Sequence, residues 1–202
     1  MPLSQILDTP GSIAITFDDG FANFQDQALP ALERYGLPAT VFVVTGHCGG
    51  YNNWTQPMQG LPELPLLSWE QIRELPQPLV QFGGHTITHA DLTKLPITLV
   101  ENELREARKE LEDRTGQNIG TFAYPFGATN VPVRQLASSH YAIGCSTELR
   151  SIGGSSDPMD LPRVDAYYLQ DQSHFEAFVR GGADAYLGLR RLLRRIRAVV
   201  AR

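Results

Sequence analysis

Two adjacent carboxylates, Asp18 and Asp19, lie in Thr16-Phe-Asp-Asp-Gly20 at the end of a short apolar run. Adjacent side chains on an extended backbone point opposite ways, so such a pair can divide its work, one acid binding a cation and the other handling a proton. Out of context, Asp-Asp-Gly is equally a surface turn. A second cluster, His85-Thr-Ile-Thr-His89, holds two of the five histidines and follows a Gly-Gly pair. Two imidazoles four residues apart face the same way on a helical turn, and with one carboxylate they make a donor set suited to a borderline divalent cation. Alone, the pair could instead cap a turn or sit at the surface. A third segment, Phe122-Ala-Tyr-Pro-Phe-Gly127, runs strand-like residues into a Pro-aromatic-Gly turn. Its backbone amides could face a developing oxyanion, and Tyr124 and Pro125 could wall a sugar-sized pocket. Phe122 and Tyr124 serve equally well as core aromatics.

These residues must be held by something, and the order of elements suggests what. Ser12–Phe17, Ala39–Val44, Leu79–Gly84, Ile119–Tyr124, Tyr141–Cys145 and Arg163–Tyr167 read as strands, with helical patterns between them. A helix over Phe24–Tyr35 is interrupted early by Pro30 and closed by Gly36. Ser68 and Gln71 form a capping box for a helix that stops before Pro76. Thr98-x-x-Glu101 opens a longer helix with Leu99, Val100, Leu104, Ala107 and Leu111 on one stripe and Gly116 as its terminator. A further helix covers Val131–Ser139. Such β/α alternation predicts a mostly parallel sheet, and all three chemical segments fall at strand carboxyl ends, where parallel architectures build their sites. The long loop from Gly46 to Pro65 is a candidate part of that site. Within it Asn53 and Trp54 offer an amide beside an aromatic face, an arrangement that holds sugar rings, and Trp69 could do the same; loop packing is the alternative for each.

The chain has 202 residues, 42% of them hydrophobic, enough for one globular core. A formal charge of −5 argues against a nucleic-acid binder that relies on a basic field. Cys48 and Cys145 form no Cys-x-x-Cys or Cys/His cluster, so free thiols are expected. The amino terminus lacks a signal-peptide pattern and no run approaches the ~20 apolar residues of a membrane span, so a cytoplasmic location is expected. Charge is uneven: Arg180 to Arg202 contains seven Arg and one acid, Asp184. Residues 175–202 read as a basic amphipathic helical extension, broken at Gly181-Gly182, that could pack on the acidic body or make peripheral contact with an anionic membrane.

Taken together, the three segments resemble the polysaccharide deacetylase family, carbohydrate esterase family four, also called NodB-like deacetylases. Thr16-Phe-Asp-Asp-Gly20, His85-Thr-Ile-Thr-His89 and Tyr124-Pro-Phe-Gly127 match its three motifs in order, over about Ser12 to Ala166. The resemblance implies a distorted, incomplete (β/α) barrel over residues 1–174. It implies that Asp19, His85 and His89 bind a divalent ion, zinc foremost, with cobalt, nickel or iron also fitting such a site. It further implies that Asp18 is the general base and that the Phe126 amide helps hold the oxyanion. The implied substrate is an N-acetylated carbohydrate, and the reaction removal of its acetyl group; the oligomeric state is left open. A soluble or lipid-linked precursor fits the missing leader better than finished polymer. A related amidase acting on a small non-sugar amide, or a glycan-binding protein that kept the metal site without turnover, are the alternatives.

Two departures from the family pattern stand out. Many members carry an Arg at the start of the third motif to orient the catalytic aspartate, whereas this chain has Ala123. Arg163, in Leu161-Pro-Arg-Val-Asp165, could supply that guanidinium from another direction, or face solvent. The family's general-acid histidine, found in a late Leu-x-His motif or upstream of the first, has no clear counterpart. His174 reads as a helix-cap or surface residue, His140 as a partner of a helix carboxyl end, and His47 as a loop residue able to approach the site.

Overall fold

The computed structural model describes residues 1–54 and 62–200, so 55–61 of the long loop and the last two residues of the basic extension lie outside the described residues. Five strands, β1 (Ile15–Phe17), β2 (Ala39–Val43), β3 (Val80–Gly84), β4 (Thr121–Ala123) and β5 (Ile143–Cys145), form one sheet in the order of the chain. Every neighbouring pair is parallel. Each crossover carries one helix: α1 (Leu29–Tyr35), α2 (Trp69–Glu74), α3 (Ile97–Thr115) and α4 (Val131–Ala137). Parallel strands that stay in sequence order, each separated by a helix, curl into a half-barrel, the distorted incomplete (β/α) barrel anticipated above. After β5, α5 (Gln172–Val179) and α6 (Asp184–Val200) end the chain, with the break at Gly181-Gly182 between them.

Strand periodicity explains the two main apolar clusters. Val41, Val43, Val80, Phe82 and Phe122 pack outward against Ile72 of α2 and Val100, Leu104 and Leu111 of α3. Their neighbours of opposite parity, Phe42, Ala123, Ile143 and Cys145, gather inside the half-barrel with Leu161 and with Leu3 and Ile6 of the amino-terminal segment. Gly83 and Gly84 are required by close approach: a Cβ on Gly83 would lie 2.5 Å from the Phe42 ring, and one on Gly84 2.5 Å from the Tyr141 hydroxyl. Burial pushes the Cys145 and Cys48 thiols up to about 12, so both are protonated at neutral pH; both are free.

Several local expectations change. Pro30 does not simply interrupt a helix; the chain makes a wide i→i+5 turn over Phe24–Ala28 before α1 begins at Leu29, because proline cannot donate to the preceding turn. The Ser68–Gln71 capping box forms as anticipated. At α3 the helix starts one residue before Thr98, with Pro96 at the N-cap and no side-chain cap, so no box forms there. Leu99 is half exposed while Val100, Leu104, Ala107 and Leu111 are fully buried, since Leu99 lies about three-tenths of a turn from the centre of their face. No sixth strand forms over Arg163–Tyr167. Leu161 makes a single parallel bridge to Cys145, and Ala166–Leu169 winds into a 3₁₀ turn capped by Asp165.

Because α3 contributes the largest buried stripe, Leu104→Ala should lower unfolding stability by about 2–5 kcal/mol. Chemical denaturation measures this, with an unchanged slope showing that the fold persists.

Candidate active site

The chemistry-bearing residues all sit where strands leave the carboxyl edge of the sheet. Asp18 and Asp19 follow β1, His85 follows β3, Pro125 and Phe126 follow β4, and Arg163 lies just past the Leu161 bridge beside β5. The backbone there is unusual. Asp19, Thr86, His89 and Phe126 all have positive φ, and among the described residues they are the only non-glycines that do. Left-handed backbone disfavours residues with a Cβ, so these four must be over-determined by their surroundings. The two aspartates therefore diverge because Asp19 turns left-handed, not because an extended strand alternates. Likewise His85 and His89 come together around an irregular bend and not on a helical turn.

That bend is held from several sides. The Thr45 and Gly46 amides donate to the Thr86 and Ile87 carbonyls at 3.1 and 3.0 Å. Thr86 Oγ1 accepts from the His89 amide at 2.9 Å. Glu103, buried on α3, takes the Ile87 and Thr88 amides on one carboxylate oxygen at 2.7 and 3.1 Å and the Thr88 hydroxyl on the other at 2.7 Å. Sequence reading passed over Glu103, although the signal was present: it is a charged residue inside the apolar stripe of a core-facing helix, where an acid survives only if it has partners.

Asp19 Oδ1 lies 3.2 Å from Nε2 of both His85 and His89. The three ligand atoms fall within 4.8 Å of one another. The Ala123 carbonyl accepts from His85 Nδ1 at 2.7 Å, which leaves His85 Nε2 as the nitrogen facing the carboxylate. Burial disfavours charge on both rings. At His89 burial prevails and lowers the pKa; at His85 it is outweighed by the hydrogen bond to Asp19 and the two nearby carboxylates, and the pKa rises. The same two imidazoles, acting against burial, hold Asp19 well below the usual carboxylate range. One carboxylate oxygen facing two imidazole nitrogens in a nearly dry recess is a convergence of acceptors, and a divalent cation satisfies it without protonating either ring. By donor chemistry, and by the hydrogen bond that fixes the second nitrogen of His85, this set fits a metal; His89 Nδ1 is buried without a partner among the described residues.

Asp18 has a different partner. Arg163 grips it bidentately, Nη1 at 2.5 Å and Nη2 at 2.7 Å, while its Nε donates to the Ser146 carbonyl at 3.0 Å. The guanidinium also lies 5.6 Å from the Phe42 ring. Burial would raise the Asp18 carboxyl, but the charge and hydrogen bonds of Arg163 prevail and hold it below its ordinary value. Asp18 keeps about a third of its side chain exposed (36%), so it faces both its cation and solvent.

The aromatic residues divide. The His89 ring is stacked on Trp54 at 4.1 Å and meets Phe126 edge-on at 4.7 Å, so these two rings wall the histidine. Trp54 is itself buried, whereas Phe126 is exposed at 36%. Tyr124 is fully buried, its hydroxyl donating to the Met159 carbonyl at 2.9 Å, and Pro125 is buried too. Both thus stand as core, the alternative weighed for Tyr124, and offer a ligand no surface. Asn53 is exposed and, among the described residues, hydrogen-bonds through its side chain to Glu63 alone, at 3.4 Å; its neighbour Asn52 fastens the loop through the Leu64 amide and Pro62 carbonyl. Trp69 packs under Arg114, away from these residues. Among the other histidines, His47 sits edge-on to the far side of Trp54, His140 contacts Glu101 at 2.9 Å, and His174 stacks on Tyr186 at 4.0 Å. None of the three touches Asp18 or Asp19.

Comparison with known proteins agrees with this geometry. A Staphylococcus aureus poly-beta-1,6-N-acetyl-D-glucosamine N-deacetylase is 28% identical over 165 residues, 76% of this chain and 53% of that protein. The chain thus spans about half the length of that relative. Among solved structures, the Streptococcus pyogenes deacetylase PplD in complex with acetate superposes with a TM-score of 0.69 at 24% identity, covering 81% of this chain and 72% of that one. The BpsB deacetylase domain of Bordetella bronchiseptica superposes at 0.63 with 22% identity, over 75% and 70%. At such identities these two likenesses speak for the fold. The family model for polysaccharide deacetylases matches residues 7–142, a stretch that contains Asp18, Asp19, His85, His89 and Phe126, and the chain belongs to the polysaccharide deacetylase family.

Proposed function

We propose that this chain removes the acetyl group from an N-acetylated amino sugar or glycan, using a divalent ion held by Asp19, His85 and His89. The observation that carries the proposal is the convergence of Asp19 Oδ1 on two imidazole nitrogens beside a second carboxylate that is aimed by its own arginine. Family membership and the name of the Staphylococcus aureus relative support an acetamido sugar as the substrate class. A divalent ion bound there would supply electrophilic polarisation of the amide carbonyl and a more acidic water; zinc suits a site with two imidazoles and one carboxylate, and cobalt, nickel and iron share that preference.

The protein's own groups do the rest. Asp18 accepts the proton of the attacking water, and Arg163 keeps that carboxylate ionised and fixed in orientation. The Phe126 amide, on the left-handed turn after β4, donates to the oxyanion of the tetrahedral intermediate. Breaking the C–N bond leaves an amine that needs one proton, which is the number Asp18 has taken up. With no histidine touching Asp18 among the described residues, Asp18 returns that proton itself. Phe126, exposed beside His89, gives the sugar an apolar face, and Asn53 a polar contact at the rim.

Ion loading and substitution both test this reading. Protein stripped with chelator and reloaded with zinc, cobalt, nickel or iron should release acetate from N-acetylated sugars, nucleotide sugars or chito-oligomers. Asp18→Asn should reduce that release by about 10²–10⁴-fold while ion binding persists. No release with any ion, from protein that binds one, would leave a binding protein in place of an enzyme. In Arg163→Met, burial acts on Asp18 without its strongest opponent and the pKa should rise, visible in a carboxyl ¹³C titration. The sign follows from the lowered native value: the Asp18–Arg163 pair stabilises the fold above the unfolded carboxylate pKa, and that stability is lost as pH falls through the native one. Arg163→Met should therefore show a weaker acid dependence of unfolding. Glu103→Leu leaves the buried Ile87 and Thr88 amides without their acceptor, so it should weaken ion affinity by about 10- to 100-fold, read by competition with a chromophoric chelator.

A further inference from the structure

The last helix is built inside out. Leu187 is buried with Ala183 and Leu149, fixing which side of α6 meets the body. Leu189, Leu192, Leu193 and Ile196 follow at i, i+3, i+4 and i+7, one continuous stripe. At 3.6 residues per turn that stripe is centred on the side opposite Leu187. It is open, with exposures of 56%, 55%, 38% and 50%. Arg190, Arg195 and Arg197 fall in register on the two flanks of that stripe, with Arg190 resting 5.1 Å over Tyr168, while Arg191 and Arg194 turn to the body side, where Arg191 pairs with Glu148 at 3.4 Å and Arg194 donates to the Thr147 carbonyl at 3.5 Å. Glu148 is also taken by Arg150 at 2.9 Å, so Arg191 shares a carboxylate already in use. Over its length α6 contains five Arg and one acid, Asp184, which sits at its amino end.

We propose that α6 docks on an anionic phospholipid bilayer, with Leu189, Leu192, Leu193 and Ile196 entering the interface and the flanking arginines meeting lipid phosphates. Charge decides between occupants. A second copy of α6 laid on this stripe would bring five arginines against five with only Asp184 in compensation, whereas an anionic surface neutralises them and receives aliphatic side chains without needing a shaped pocket. No helix among the described residues is long and apolar enough to cross a membrane, so the contact is peripheral. It also reaches toward the site: Thr147, whose carbonyl meets Arg194, donates its hydroxyl to the Phe126 carbonyl at 3.4 Å. The docking rests on α6 alone and its test reads binding, so it stands or falls separately from the proposed deacetylation.

The test is flotation of the full chain with vesicles of phosphatidylcholine alone or mixed with phosphatidylglycerol. Binding should require the anionic lipid, and should weaken at least about tenfold when salt rises from about 0.1 to about 0.5 M. Leu192→Glu with Ile196→Glu should abolish it while leaving the melting temperature near that of the parent, because both positions are exposed. Arg190→Glu, on the flank of the stripe, should weaken it and lessen its dependence on salt. Failure of the parent chain to float, equal binding to neutral vesicles, or binding indifferent to the double substitution would each overturn the proposal. So would a dimer by light scattering that the double substitution dissolves in a chain that binds no vesicle, since that would give the face to a second copy.

Discussion

The site depends on four residues held in left-handed backbone. Asp19, Thr86, His89 and Phe126 each adopt a conformation that costs roughly 1–3 kcal/mol when the residue carries a Cβ, and all four lie where the chain leaves the carboxyl edge of the sheet. Without these turns Asp19 would continue along β1, and the histidine loop could not bring Nε2 of both rings to the same 3.2 Å from one oxygen. The strain persists because each turn is gripped by something rigid. The histidine loop is bonded to the segment after β2 and to a buried carboxylate on α3, the longest helix of the barrel layer. The Phe126 turn is tied to Thr147 beyond β5. Stability invested in α3 and the sheet is thus what keeps the donor set convergent.

Two adjacent acids end with opposite electrostatic partners, and this separates their chemistry. Asp19 faces imidazoles, which can give way to a cation; Asp18 faces a guanidinium, which cannot lose its proton at any accessible pH. A carboxylate locked to arginine stays ionised and oriented, while one set between two imidazoles is poised to exchange proton for metal. One dipeptide can hold both only because the left-handed Asp19 sends its side chain toward β3 while Asp18 remains over the interior of the half-barrel.

Much of this was legible in the residues themselves, and where it was not the reasons are physical. Strand composition and capping chemistry are local, so the five strands, the Ser68–Gln71 box and the Gly36 and Gly116 terminators could be read from neighbours in sequence. The sixth strand could not, because Arg163–Tyr167 has strand-like residues but no free stretch of β5 to pair with beyond one bridge. The burial of Tyr124 depended on Met159, 35 residues away, offering a carbonyl to its hydroxyl. The bend between His85 and His89 depended on Glu103 and on two amide donors from the segment after β2, Thr45 and Gly46, none of which periodicity reports. The candidate metal donors were legible because their chemistry is unusual; the supports were not, because each is an ordinary residue made important by a distant partner.

The small Ala123 side chain and the Asp18–Arg163 pair fit one another. Ala123 is fully buried inside the half-barrel, clustered with Phe42, Cys145 and Leu161. A guanidinium rooted there would have to carry its stem through that cluster. Rooted instead at residue 163, just past the Leu161 bridge, it crosses the Phe42 face, is steadied by the Ser146 carbonyl and Thr16 hydroxyl, and meets Asp18 with both terminal nitrogens. The small residue at 123 leaves the Phe42 ring free for that crossing, and its carbonyl is in turn the acceptor that orients His85. What the arrangement needs is a fixed cation on Asp18 and an acceptor behind the His85 imidazole that faces Asp19. Neither requirement names a position in the chain, so the guanidinium can enter from the far side of β5 while the backbone of residue 123 keeps its part.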